Sequence, residues 1–207
     1  MKNLLTLSLL TFTFIFSNLI SAQEYATTED LPVNYKKRHA IYDYSEDTLS
    51  NTAIIPGFET KENKLKITGT IYLADGVTPA KDVMLYVFQS DEDGDYEMKR
   101  DAYRKRYVHH RGWIKTDADG RYTIYTFMPG KFVRVKELKQ IHRVIKEPGK
   151  AEYNISPFFF NNDPLIPYLS LEARAIASRS MLRLEEEGGI QVATKDIILK
   201  ESIKNLQ

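Results

Sequence analysis

The sequence predicts an all-β fold: an antiparallel β-sandwich with an N-terminal arm and one short C-terminal helix. Short segments rich in β-branched and aromatic residues recur from residue 65 onward at spacings of about ten residues, with turn residues between them. Aromatic residues make up 12% of the chain, most of them Tyr and Phe, which favour strands. A helical period appears in one segment, 168–184.

The first 22 of the 207 residues have the layout of a secretory signal peptide. Lys2 supplies the basic start, residues 4–20 form an apolar run, and the small residue Ala22 precedes the polar Gln23. A spanning helix of about 20 apolar residues would fit the length alone, but no basic stop-transfer flank follows. We therefore expect cleavage after Ala22 and export to the periplasm or the medium. A retained N-terminal anchor is the alternative.

Two regions follow the signal peptide. Residues 23–62 are polar and weakly periodic, with Pro32, Pro56 and Gly57 as breakers, and are predicted to be an arm that packs on the outside of the domain. Residues 63–207 are predicted to form the sandwich domain. Its strands are expected at 65–73, 83–89, 107–116, 122–127, 141–146, 152–160 and, as a last strand or hairpin arm, 190–199. Asp-Ala-Asp-Gly at 117–120 predicts a hairpin between two of them.

Composition excludes several classes of function. The signal peptide carries only Lys2, so the mature chain is formally neutral with mixed signs, which argues against a nucleic-acid footprint. The mature chain has no apolar run long enough to span a membrane. The absence of cysteine excludes disulfides, thiolate metal sites and a cysteine nucleophile. No Gly-x-Ser-x-Gly elbow and no phosphate-binding glycine loop is present.

Four short motifs carry a resemblance to a known family. They are Gly-x-Tyr at 94–96, Arg-Gly-Trp at 111–113, Ile-His at 141–142 and Asn-Asp-Pro-Leu at 162–165. Over about 65–199 the chain resembles an exported member of the intradiol ring-cleavage dioxygenases, relatives of protocatechuate and catechol dioxygenases. Other parts of the pattern, such as Asp-Gly-x-x-Pro-Ala after the first strand, also occur in carboxypeptidase-regulatory and transthyretin-like sandwiches, which stabilise or bind.

The resemblance implies a site for one ferric ion, held by two tyrosinates and two histidines. Fe(III) prefers anionic oxygen, and phenolates lower the net charge of the centre. Tyr96 matches the first tyrosine of the family and His142 the second histidine. Phe132 stands at the position of the second tyrosine and Gln140 at that of the first histidine. The resemblance therefore implies that two of the four metal ligands are replaced, and we expect iron to bind weakly or not at all.

Neighbouring residues are candidates to compensate for the lost ligands. Arg134 lies one residue from the position of a family arginine, and Tyr103, His109 and His110 are close in sequence to Tyr96 or on the adjoining segment. A rebuilt site would combine Tyr96 and His142 with one of the two histidines. Because 107–116 is predicted to be one strand, we expect His109 and His110 to point to opposite faces, so that at most one of them faces any site.

The replaced ligands favour one of two functional hypotheses. The favoured one is a non-catalytic or iron-poor intradiol dioxygenase-like homologue that keeps the pocket for an aromatic diol. The alternative is an active Fe(III)-dependent oxidoreductase that opens catechol-type rings with dioxygen. Changes outside the ligand set alone typically cost about 10–100-fold in metal affinity, so the loss of two ligands should cost more. A small aromatic diol is the expected partner, and a homo-oligomer is left open.

Overall fold

The computed structural model describes residues 31–131 and 137–200, which belong to two compact units. The described part of the first unit, Met1–Tyr35, is a turn in which the Tyr35 amide donates to the Pro32 carbonyl. The second unit, Lys36–Gln207, contains every element described below. The predicted signal peptide lies outside the described residues. Among those residues, no helix has the length and hydropathy needed to cross a bilayer.

Most of the predicted strands are present. In chain order the strands are β1 (Thr52–Ile54), β2 (Lys64–Tyr72), β3 (Met84–Gln89), β4 (Met98–Arg100), β5 (Arg106–Val108), β6 (Arg111–Lys115), β7 (Arg121–Phe127), β8 (Gln140–Lys146), β9 (Tyr153–Phe160), β10 (Met181–Leu182), β11 (Glu185–Glu187), β12 (Ile190–Thr194) and β13 (Ile197–Ile198). The segments predicted at 65–73, 83–89, 122–127, 141–146 and 152–160 correspond to β2, β3, β7, β8 and β9. The last predicted segment, 190–199, is divided into β12 and β13.

The strands form two large mixed sheets and a small hairpin. The first sheet has the order β1-β7-β2-β12-β11 with β13 also on β2, the second has the order β10-β9-β8-β3-β6, and β4 pairs with β5. The predicted all-β sandwich class is confirmed, but the sheets are mixed, because the β1–β7, β2–β12, β2–β13 and β9–β10 pairs are parallel. The alternation of side chains in the sequence identifies a strand and its two faces. Which strand it pairs with depends on long connections, and the local sequence does not indicate this.

Side chains of both large sheets form one buried cluster. Successive side chains of β3 point to opposite faces of the second sheet, and both faces are covered. Leu85 and Val87 belong to the cluster shared with the first sheet. Met84 and Tyr86, one position away, point to the opposite face, where they pack in a second cluster. We call this opposite side the outer face of the second sheet.

Residues 36–62, which belong to the region predicted as an arm, cover this outer face and also enter the first sheet. Ile41 is 1% exposed and packs with Met84, Tyr86 and Val144 in the second cluster. Lys105, in the β4–β5 loop, forms a 2.6 Å ion pair with Asp43. Farther along, β1 pairs with β7 at the edge of the first sheet. Residues 36–62 thus belong to the same compact unit as the sandwich.

The helix is shorter than predicted. α1 spans Leu171–Ser178 instead of 168–184, and begins after Ser170, whose hydroxyl accepts from the Ala173 amide at 3.1 Å. The prediction was wrong beyond residue 178 because residues 181–182 pair with β9 as strand β10. Two glycines then close a hairpin between β11 and β12. Gly188 and Gly189 both have positive φ, +58° and +83°, as a two-residue turn of this kind requires.

The turn at 117–120 has the predicted local geometry but not the predicted role. The Gly120 amide donates to the Asp117 carbonyl at 3.0 Å, and Gly120 has φ +68°. Yet β6 belongs to the second sheet and β7 to the first, so the hairpin prediction was wrong: the turn carries the chain from one sheet to the other. Turn residues reverse the chain direction, but they do not fix which strands pair.

This turn predicts an acid-sensitive contribution to stability. Hydrogen bonds from the Arg121 amide and the Asn51 side chain, at 2.9 and 2.8 Å, hold the pKa of Asp117 below its ordinary 3.8. The folded pKa lies below the unfolded value, so the stabilisation is present above pH 3.8 and is lost as the pH falls through the folded pKa. We expect Asp117→Asn to lower the free energy of unfolding at neutral pH by about 1 kcal/mol.

Urea unfolding at a series of pH values checks this expectation. The Asp117→Asn variant should lose less stability than the wild type between neutral pH and the acid range below pH 3.8. Asp119→Asn, an exposed carboxylate in the same turn, is the matched control and should keep the wild-type profile. Identical profiles for wild type and Asp117→Asn would contradict the assignment.

Candidate functional site

A row of aromatic rings on the outer face of the second sheet leads to the candidate site. The rings of Trp113, Tyr86, Phe88 and His142 follow one another with centroid distances of 5.3, 5.6 and 4.6 Å. Phe88 on β3 and His142 on β8 are cross-strand partners, and their rings are stacked with an interplanar angle of 12°. The register of two antiparallel strands therefore fixes His142 beside an aromatic face.

His142 also lies where the β8–β9 ladder is irregular. Ile141 pairs with Phe158, but Arg143 pairs with Ile155, so β9 contains one residue more than β8 across this step. Pro157 falls within this step and has no amide hydrogen to donate to the ladder. Such bulges often re-aim a side chain next to a functional site.

Tyr96 reaches this position from the loop between β3 and β4. The Asp91 carboxylate accepts hydrogen bonds from the Asp93 and Asp95 amides at 3.0 and 2.9 Å, which closes a tight turn just before Tyr96. The Gly130 amide donates to the Asp91 carbonyl at 2.7 Å and ties the turn to the segment after β7. The Tyr96 hydroxyl oxygen lies 2.6 Å from His142 Nε2, so the structure brings together the two residues that the resemblance assigned as metal ligands.

Both members of this pair are held in their neutral forms. Burial, and then the nearby charge of Glu137, raise the pKa of Tyr96 above its ordinary 10.0. Burial lowers the pKa of His142 below its ordinary 6.5, and Glu137 opposes this shift. At neutral pH the site therefore presents a phenol hydrogen-bonded to a neutral imidazole. Tyr96, His142 and Phe88 are all partly exposed, so solvent reaches the pair.

Gln140 and Glu137 lie beside the pair. Gln140 and His142 are two residues apart on β8 and share a face. The Gln140 amide nitrogen donates to the Glu137 carboxylate at 3.4 Å, and Glu137 affects the pKa of both Tyr96 and His142. Sequence reasoning missed Glu137. Its position three residues before Gln140, a predicted ligand position, was a signal that could have found it.

The two neighbouring histidines form a different group. His109 and His110 fall in a bend between β5 and β6, not in a continuous strand, so the expectation that they point to opposite faces was wrong. Their ring centroids are 5.1 Å apart. One ligand atom from each histidine and one from Glu97 lie within 4.8 Å of one another. Sequence reasoning missed Glu97, although it directly follows Tyr96.

Three other residues were predicted for the site: Tyr103, Phe132 and Arg134. Tyr103 lies in the loop between β4 and β5, where its amide donates to the Asp101 carboxylate at 2.9 Å. Phe132 and Arg134 lie outside the described residues. Their assigned roles therefore stay predictions.

The donor set does not fit the four-ligand ferric centre that the resemblance implies. Tyr96 and His142 supply one phenol and one imidazole. Phenylalanine, at position 132, has no donor atom, and the Gln140 side chain is neutral and hydrogen-bonded to Glu137. A trivalent ion would have a single phenolate at these four positions to balance its charge.

Comparison with known proteins defines the class of fold. No protein-family model matches the chain, and no curated protein matches it. Among solved structures, the dioxygenase domain of a dioxygenase–carbohydrate-binding protein fusion from Streptomyces sp. SirexAA-E is 20% identical, with a TM-score of 0.59 over 77% of this chain and 93% of that one. 3-Chlorocatechol 1,2-dioxygenase from Rhodococcus opacus 1CP is also 20% identical, with a TM-score of 0.57 over 77% of this chain and 70% of that one.

Catechol 1,2-dioxygenase from Acinetobacter sp. ADP1 is more distant in sequence, at 16% identity, with a TM-score of 0.57 over 75% of this chain. This chain spans 58% of the length of that enzyme. These similarities show that the chain has the β-sandwich fold of the intradiol dioxygenases, as the resemblance implied. At such low identities they show the fold alone, and the chemistry must be argued from the site.

Proposed function

We propose that this protein is an exported, non-catalytic relative of the intradiol dioxygenases that binds a small aromatic diol without cleaving it. The observation that carries the proposal is the pairing of Tyr96 and His142 at 2.6 Å, beside the Phe88 ring. By the sequence resemblance, the other two ligand positions are occupied by Phe132 and Gln140. Among the described residues, the site offers hydrogen-bonding groups for a diol, and the resemblance leaves two of the four ferric ligands unmatched. Export is supported by the signal-peptide pattern of residues 1–22.

The chemistry of the pair suits two adjacent ring hydroxyls. A phenol hydroxyl donates one hydrogen bond and accepts others, and a neutral imidazole offers one donor and one acceptor. A diol that inserts between Tyr96 and His142 would replace their mutual hydrogen bond with two bonds to its own hydroxyls. Phe88, stacked on His142 and partly exposed, adds an apolar ring beside the pair. Because each net hydrogen bond is worth only about 1 kcal/mol, we expect modest affinity.

Calorimetric titration with catechol, in metal-free buffer under nitrogen, tests binding. We expect saturable binding to the wild type and a decrease of about tenfold in affinity for Tyr96→Phe, which removes the hydroxyl and keeps the ring. Tyr168→Phe is the matched control, because Tyr168 is 85% exposed and ends a short helical turn before α1. Equal affinity of wild type and Tyr96→Phe would refute this placement of the diol.

One observation favours the alternative of an active Fe(III)-dependent dioxygenase. The Glu137 carboxylate accepts a 3.4 Å hydrogen bond from the side chain of Gln140, which shares a face of β8 with His142. In that case Glu137 would supply the second anionic oxygen in place of the lost tyrosinate. If this alternative is correct, the wild type binds iron and consumes oxygen with catechol, and Glu137→Gln abolishes both. If the diol-binding proposal is correct, the wild type shows neither iron binding nor oxygen consumption.

A further inference from the structure

Glu97, His109 and His110 are brought together by the continuation of the β4–β5 hairpin. Met98 pairs with Val108, so Glu97 and His109 are the next residues outward on the two strands. The His109 amide donates to the Glu97 carbonyl at 2.8 Å, which extends the ladder by one step. Residues directly opposite each other in an antiparallel pair share a face, so the Glu97 carboxylate and the His109 imidazole project to the same side.

His110 enters the group from the buried side. Its side chain is 5% exposed, and Nδ1 lies 2.8 Å from the Pro56 carbonyl oxygen. A carbonyl only accepts, so Nδ1 carries a proton and the neutral ring presents its lone pair at Nε2. Nε2 lies 3.5 Å from Glu97 Oε2. A metal-ligating histidine typically donates a hydrogen bond from one ring N–H to a backbone carbonyl and leaves its other nitrogen free for the metal, and His110 has this arrangement.

We propose that Glu97, His109 and His110 form a binding site for one divalent first-row transition-metal ion, with Zn²⁺ as the representative ion. Two imidazoles and one carboxylate are the ligands that such ions bind with positions left open for water. Ligands at about 2.0–2.2 Å from one ion lie about 3.3 Å apart in tetrahedral geometry. The 3.5 Å pair already fits this separation, and the widest pair, at up to 4.8 Å, closes with about one ångström of side-chain movement.

The environment distinguishes this class of ion from harder cations. Glu97 is exposed, and its other oxygen, Oε1, lies 3.1 Å from Lys99 Nζ. Lys99 thus leaves a single carboxylate oxygen facing the two imidazoles. Ca²⁺ and Mg²⁺ bind through several oxygen ligands, which this group does not offer. The buried His110 fixes one ligand in place, and the more exposed Glu97 and His109 are free to adjust around the ion.

Calorimetric titration of tag-free protein with Zn²⁺ tests the proposal. We expect one ion per chain, and Glu97→Gln and His109→Gln should each weaken binding by about tenfold or more. Both side chains are at the exposed side of the group, so these variants should fold, which circular dichroism verifies. His39→Gln is the control, because His39 caps a short helical turn elsewhere and its loss should leave Zn²⁺ affinity unchanged.

Co²⁺ provides a second readout, because its visible absorption reports the ligands of the bound ion. At a Co²⁺ concentration near the wild-type Kd, the Co²⁺ spectrum should be strongly reduced in His109→Gln and unchanged in His39→Gln. Absence of saturable Zn²⁺ binding would overturn the proposal, as would equal affinity in wild type and both site variants, or loss of binding in His39→Gln. None of these results bears on diol binding at Tyr96 and His142.

Discussion

Phe132→Tyr combined with Gln140→His is expected to give this protein a ferric ion with a visible phenolate-to-iron absorption band. The double substitution restores the tyrosine and histidine at the two positions where the intradiol resemblance requires them. Gln140 shares a face of β8 with His142, whose Nε2 is already 2.6 Å from the Tyr96 hydroxyl. Because changes outside the ligand set alone alter affinity by about 10–100-fold, two restored ligands should raise Fe(III) affinity by at least about 100-fold.

Visible spectroscopy and iron analysis after incubation with Fe(III) check this result. Each single substitution should bind iron more weakly than the double variant, because each restores one ligand only. Tyr96→Phe in the double variant should reduce the absorption band, since it removes one of two phenolates. A double variant that stays colourless and iron-free would show that the geometry, and not the donor set, prevents ferric binding.

Gly130→Ala is expected to lower stability by about 2–3 kcal/mol and to weaken diol binding at the same time. A Cβ at this position would lie 2.3 Å from the Glu92 carbonyl oxygen and 2.4 Å from the Gly94 amide nitrogen. Both atoms are backbone, so the methyl group can be accommodated only if the Asp91–Asp95 turn moves. That turn leads directly into Tyr96, and its displacement would separate the Tyr96 hydroxyl from His142.

Thermal or urea unfolding, together with catechol titration, measures both effects. Gly149→Ala is the control: Gly149 has φ +72° but no atom within 4 Å of an added Cβ, so only backbone strain of about 1 kcal/mol is expected, with diol affinity unchanged. A smaller stability loss for Gly130→Ala than for Gly149→Ala would contradict the close-packing account, as would unaltered diol binding in Gly130→Ala.

The parts of the fold that follow from local patterns were predictable. Alternation along β2 located that strand because side chains that enter the core recur every second residue, and the β-branched and aromatic composition of β3 located the next one. The partners of the strands were not predictable. The parallel docking of β1 on β7 and the passage of the chain between sheets at 117–120 depend on contacts between distant segments. Position 178, where α1 ends, was missed because pairing of β10 with β9 overrides the helical periodicity.

The candidate site was predictable to a similar degree. Tyr96 and His142 were identified by their motifs, and the structure places them in contact. Glu97 and Glu137 carry no motif, so their proximity to the histidines depends on the hairpin register and on the approach to β8. The directions of the His109 and His110 side chains were predicted wrongly because the predicted strand 107–116 is interrupted by a bend at these two residues. Sequence patterns therefore identified single site residues, but not the residues that lie next to them in the folded chain.

The most direct test of the central claim is oxygen consumption by the wild-type protein after incubation with Fe(III) and addition of catechol. Because the resemblance matches only Tyr96 and His142 to the four ligands of the family, we predict no oxygen uptake above a protein-free control and no muconate-type product. Consumption of one dioxygen per catechol with formation of that product, lost in Tyr96→Phe, would contradict the account and establish an active intradiol dioxygenase.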